Sequence, residues 1–161
     1  MIKREEGQGK RLSLTAMTNE DLVILSTLSQ DAIIKTSNMT WARRKRRFII
    51  LMNRFCWELN DFSNLKNEDY KRVNCIMSFD TVLSVKSKGI EQSKADIILS
   101  LLMIKNHDSK HGERSIELVF SGGGNITLEV ECVEVILKDV SDPFKSAASN
   151  IPNHFDTESD E

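Results

Sequence analysis

The chain has 161 residues, 40% of them apolar and 29% charged, with a formal net charge of −2. That length suits one domain rather than two, and the near-neutral balance removes any global case for a nucleic-acid binder. No apolar run approaches the roughly 20 residues of a membrane span.

Charge is unevenly laid out. Lys3, Arg4, Lys10 and Arg11 face Glu5 and Glu6 at the start, whereas Asp156, Glu158, Asp160 and Glu161 close the chain with no basic residue after Asn150. Residues 1–11 are polar and contain glycine, so they predict an unstructured basic end, and 143–161 predicts an acidic, unstructured tail around a globular unit at 12–142. Charges and glycines also stand where a signal peptide needs an apolar core, which points to a cytoplasmic protein. Cys56, Cys75 and Cys132 are far apart and lie in strand-like runs. Without pairs at short spacing they predict buried free thiols in a reducing cytosol, not disulfides or a metal knuckle.

Thr18 opens the first element. Thr18 and Asp21 fit a capping pattern, and Leu22, Leu25, Leu28 and Ser29 follow at helical spacing, so a helix is predicted over Asn19 to Asp31. Ala32 to Thr40 and Arg46 to Glu58 then form a hairpin turning beside the basic run Arg43 to Arg47. Both faces of its second arm are apolar, which predicts a central strand covered on two sides. Asn60 to Asp69 reads as a polar loop.

Arg72 to Lys88 carries the clearest alternation. Val73, Cys75, Met77, Phe79, Leu83 and Val85 share odd positions, against polar residues at most even ones. A period of two means extended backbone with one face buried, and a bend near Phe79-Asp80 would divide so long a run into two strands. Asp96 to Lys105 is apolar almost throughout and is read as a strand, followed by a loop at Asn106 to Glu113. Ile116, Leu118 and Phe120 alternate before Ser121-Gly122-Gly123-Gly124-Asn125, and Ile126, Leu128, Val130 and Cys132 alternate after it: a hairpin with glycines at its turn. The alternation slips at Cys132-Val133, which signals a bulge or a strand end. Val133 to Val140 reads as either a further strand or a helix, with strand favoured, and Asp142-Pro143 closes the fold. The fold class is mainly β (α+β): an antiparallel sheet of about six strands forming a roll, barrel or small sandwich, with one N-terminal helix.

These stretches together resemble a known family. Glu20-Asp21-Leu22, Gln30-Asp31-Ala32, Arg46-Arg47-Phe48 through Trp57-Glu58, Phe79 through Gly89, and Phe120-Ser121-Gly122-Gly123-Gly124 through Cys132 are similar to the family catalogued as domain of unknown function 2948. The resemblance covers most of 19–142 and implies a bacterial, alphaproteobacterial cytosolic protein. It brings no activity to carry over.

One segment invites a functional reading. Arg43, Arg44, Lys45, Arg46 and Arg47 lie between Trp41 and Phe48, a pattern suited to phosphate contacts with aromatics available for stacking. The bland alternative is a solvated turn with both aromatics in the core. Gly122 to Gly124 lies between strands and lacks a following Lys-Ser/Thr, so neither nucleotide fingerprint fits, and Gly7-Gln8-Gly9-Lys10 fails likewise. His107 and His111, with Asp108 and Glu113, have helical metal spacing but fall in a predicted loop beside Lys110 and Arg114, so no metal is expected. Asn53, Arg54 and Glu58 are polar within an apolar segment, which points to a structural ion pair with Glu129 or Glu131 as candidate partners for Arg54. No serine sits in a recognisable elbow and no nucleophile–base pair can be named. No catalytic residue and no cofactor are assigned. The expected function is a non-catalytic binding or adaptor module for a protein or nucleic-acid partner, with no membrane contact. The alternatives are an enzyme with an unrecognised site and a structural subunit assembling through β edges.

Overall fold

The computed structural model describes residues 2–4 (backbone only), 11–59, 70–91, 93–94 and 96–145. The expected polar loop at 60–69, residues 5–10, His154 and the end of the tail lie outside the described residues.

Helix α1 spans Asn19–Ser29. The Thr18 hydroxyl accepts from Asp21 N at 3.2 Å, satisfying one of the helix's unpaired amides, while the Asp21 carboxylate accepts from Met17 N at 3.1 Å and ties back the chain that enters it. Leu22, Leu25 and Ser29 form its buried stripe. The helix stops two residues before the predicted end, because Gln30 is extended and Asp31 takes a left-handed φ of 63°. It lies along the strand that follows Ile97, where Ile104 N donates to the Ser26 hydroxyl at 2.9 Å.

Among the described residues there are twelve strands, all paired antiparallel. In chain order they are β1 (Ile2–Arg4), β2 (Leu12–Ala16), β3 (Ile33–Lys35), β4 (Met39–Ala42), β5 (Arg47–Phe55), β6 (Lys71–Phe79), β7 (Val82–Lys88), β8 (Ile98–Asp108), β9 (Arg114–Phe120), β10 (Asn125–Val130), β11 (Val135–Asp139) and β12 (Phe144–Lys145). The main path runs β1-β2-β11-β6-β5-β3-β8-β9-β10-β7, with β4 on β5 and β12 on β6. The sheet is not closed into a barrel, and it has more strands than the six expected. Strand β1 falls within the stretch predicted to be unstructured, and β12 lies just past the expected boundary at 142.

Side chains from both halves of this path converge in one core, including Leu14, Ile50, Met77, Phe79 and Leu137 from one half and Leu101, Leu118, Phe120, Ile126 and Leu128 from the other. The β9–β10 hairpin follows the predicted alternation: Leu118 stands opposite Ile126 and Ile116 opposite Leu128, all buried. Gly122 and Gly123 make its turn with φ of 85° and 92°, which residues with a Cβ rarely adopt. Val133–Val140 does contain a strand, β11.

Several expectations need correction. The single buried odd face of Arg72–Lys88 does not continue through the bend. Thr81 takes a φ of 58° at the corner, and β10 then meets Val82 and Ser84 at successive positions, so Leu83 bulges and is exposed while Val82 is buried. Strand β5 is central, yet it is not covered on both faces, because Leu51 is exposed. His107 and Asp108 belong to β8, whose antiparallel pairing with β9 runs to Asp108–Arg114, so the loop is shorter than predicted. The alternation slip at Cys132 is a strand end. That thiol is exposed in the turn after β10, unlike Cys56 and Cys75, which are buried as expected.

Candidate functional site

Strand β5 begins and ends in cationic side chains, and the fold treats the two groups oppositely. At its start, residues Arg43–Lys45 form one turn of 3-10 helix linking β4 to β5. Arg46 closes the turn in the left-handed region (φ 51°, ψ 43°), a conformation that costs a residue with a Cβ about 1–2 kcal/mol. Its contacts offset that cost. The Arg46 carbonyl accepts from Val82 N at 2.8 Å, and its guanidinium donates to Glu131 at 2.8 Å. Arg47 Nε donates to Asp80 at 2.5 Å. Two of the five basic residues therefore fasten the turn to the β6–β7 corner and to the turn after β10.

Arg43, Arg44 and Lys45 are different. All three are exposed, and none makes an ion pair or side-chain hydrogen bond among the described residues. The backbone ties at Arg46 and Arg47 hold them side by side in water as a local charge of +3. Trp41 is half-buried against the core and stands opposite Phe48, which is buried. The tryptophan is thus committed largely to packing, with only part of its surface available beside the cations.

At the other end of β5, Arg54 faces inward and is fully buried. Asp139 on β11 receives Nε at 3.1 Å and Nη2 at 3.0 Å, reaching beneath β6. Glu58 receives Nη1 at 3.0 Å and Nη2 at 2.7 Å. Asp139 also accepts from Leu12 N at 2.9 Å, so the network joins β5, β11 and β2. Burial works against the Arg54 charge, but its hydrogen bonds to Glu58 and Asp139 outweigh it and raise the guanidinium pKa above its ordinary value. The expected partners were wrong: Glu131 pairs with Arg46, and Glu129 accepts from Ser84 at 3.0 Å. Arg72, nearby on β6, donates to Asn53 and to the Asp31 carbonyl and lies 5.9 Å from the Phe55 ring centre; burial lowers its pKa. Burial likewise pushes the Cys56 thiol up to about 11 and Cys75 up to about 12. Arg54, Asp139 and Glu58 are thus engaged with one another, and Arg72 with Asn53 and a backbone carbonyl, so the cluster cross-links the sheet.

A polar groove of about 530 Å³ crosses the outer face of β7, β10, β9 and β8, lined by Ser84, Lys86, His107, Arg114 and Glu129 among others. Its acids and bases largely pair with each other or with neighbours: His107 with Glu117 at 2.7 Å and Arg114 with Asp108 at 2.8 Å. Among the described residues no group of three or more His, Cys, Asp or Glu side chains is placed to hold a metal, and His111 lies in the β8–β9 turn away from such a set. No helix among the described residues is long and apolar enough to cross a membrane.

A family model, described as protein of unknown function (DUF2948), matches residues 12–154. The chain belongs to this family. The DUF2948 match covers α1, the basic turn, the Arg54 network and the polar groove, so each is part of the family's domain rather than an appendage. Neither the curated proteins nor the solved structures gave a match.

Sequence reasoning found the basic run but could not divide it. Only the fold separates Arg46 and Arg47, which meet acids from distant segments, from Arg43, Arg44 and Lys45, which do not. The Arg54–Asp139 pair was missed because its members are 85 residues apart. A buried-phase Arg at the same parity as Phe48, Ile50 and Met52 was the available signal that an inward carboxylate had to exist.

Proposed function

We propose that this protein is a non-catalytic binding module whose basic turn contacts an anionic macromolecular partner. The observation that supports this reading is the trio Arg43, Arg44 and Lys45, held in place by the pairs Arg46–Glu131 and Arg47–Asp80 yet itself unpaired among the described residues. A fixed group of unneutralised cations lowers the ordering cost of meeting an anion. The groups that would serve a catalyst, by contrast, are engaged with one another. Free thiols at Cys56, Cys75 and Cys132 fit a reducing compartment such as the cytoplasm.

Fluorescence anisotropy with labelled oligonucleotides and labelled polyglutamate, from about 50 to 200 mM salt, tests the reading. Five cations at the tip would give a steep salt dependence. Three free ones predict a log–log slope near −3 on duplex DNA, from roughly 0.9 per phosphate contact, and nearer −2 on a single strand. No binding to either polyanion at the low-salt end would overturn it.

A further inference from the structure

The margins of the open sheet meet the basic turn. Among the described residues, strand β4 pairs only with β5, and β7 pairs only with β10. These two margins are tied to each other's surroundings at both ends. At one end Val82 N donates to the Arg46 carbonyl at 2.8 Å; at the other, Thr36 N donates to Ile97 O at 2.9 Å and Ile97 N to the Thr36 hydroxyl at 3.1 Å. Among the described residues neither strand has a second strand partner between these ties. Met39 and Trp41 on β4, Val85 on β7, and Ile90 and Ile97 beyond it are half-buried side chains resting on the core.

Strand β7 carries Lys86 and Lys88 and no acid; both lysines are exposed and make no ion pair among the described residues, and Lys86 also lines the polar groove beside Glu129. Arg43, Arg44 and Lys45 stand where β4 ends. Because β10 pairs with one side of β7, only alternate residues point their backbone donors and acceptors toward its other side, at the spacing of a strand edge. A polypeptide matches that ladder; a sugar-phosphate chain has no equivalent. A second copy of this chain would bring the same lysines against themselves, which like-charge repulsion disfavours.

We infer that the seam receives an extended acidic segment of a partner protein, added as a strand along β7. Its apolar residues face Val85 and Trp41, and its alternate acids face Lys86, Lys88 and the basic turn. This deepens the reading above and rests on it, since the turn supplies part of the charge.

The test uses the full chain and three labelled probes at about 50 mM salt, where charge contacts are strongest: an eight-residue peptide alternating Glu and Val, the same peptide N-methylated at alternate residues, and oligothymidylate. The unmodified peptide is expected to bind, and N-methylation, which removes main-chain donors but no charge, should weaken it about tenfold or more. Lys86→Glu with Lys88→Glu should produce a similar loss, while the outward-pointing amides from Leu83 to Lys86 gain hydrogen-exchange protection only with the unmodified peptide. Equal binding of both peptides, or oligothymidylate displacing the peptide at equal charge, would overturn strand addition while leaving the anion-binding turn standing. Failure of all three probes would remove both readings. A mass that doubles with protein concentration and blocks the peptide would assign the seam to a second copy instead.

Discussion

Replacing Arg54 by Met isolates the contribution of the buried network. The substitution keeps most of the side-chain length on the inner face of β5 and removes the bonds to Asp139 and Glu58. What remains is the Asp139 carboxylate, 1% exposed, with Leu12 N as its remaining donor. Breaking a buried pair by removing one partner costs about 3–5 kcal/mol, chiefly because the surviving charge lacks compensation. Against a total stability of about 5–15 kcal/mol that is a large share, and at about 2–4 °C per kcal/mol it lowers the melting temperature by roughly 6–20 °C. A second substitution separates this cause from lost packing, because Asp139→Asn removes the surviving buried charge with little change in size. Urea unfolding followed by tryptophan fluorescence reads this directly, with Arg54→Met/Asp139→Asn as the partner variant expected to recover part of the loss at neutral pH. A deficit below about 1 kcal/mol, or one that Asp139→Asn does not reduce, would refute the reasoning.

Two further outcomes follow from burial. Phe79, fully buried beside Phe48 with ring centres 6.3 Å apart, should cost roughly 3–5 kcal/mol when replaced by Ala, and an unchanged urea midpoint would contradict the assigned inner face of β6. Thiol labelling of the native protein at neutral pH should modify Cys132 alone, with Cys56 and Cys75 reacting on unfolding. Because burial raises the two inner thiols to about 11 and about 12, the stability they contribute is complete below the ordinary thiol range and is lost as pH rises through those values. Cys75→Ala should therefore flatten the alkaline fall in stability, and an alkaline limb unchanged by it would contradict the assignment.

Where local chemistry decides the backbone, the sequence is readable. Thr18 and Asp21 mark the helix start, and the alternation around Gly122–Gly124 sets the β9–β10 register because each element contains its own signal. Where a distant partner decides, it is not. Leu83 falls out of phase because β10 imposes a bulge, and Thr36–Asn38 interrupts what reads as one strand because Thr36 is held by Ile97. Arg54 depends on Asp139, which no spacing rule connects to it. The basic run shows both limits at once: its position at the β4–β5 turn was legible, whereas the neutralisation of Arg46 and Arg47 by Glu131 and Asp80 required the corner they meet. The outer lysines of β7 carried no site signal at all, since their significance lies in the absence of a second strand partner among the described residues.

The most direct measurement compares wild type with Arg43→Gln/Arg44→Gln/Lys45→Gln in a polyanion titration, with Arg46 and Arg47 left intact. The three side chains are exposed and make no ion pair among the described residues, so the variant should unfold at the wild-type urea midpoint. Its salt-dependent binding should disappear, with the log–log slope falling from about −3 toward zero on duplex DNA. Binding of polyglutamate and oligonucleotide that persists in the variant with the wild-type slope would contradict the account.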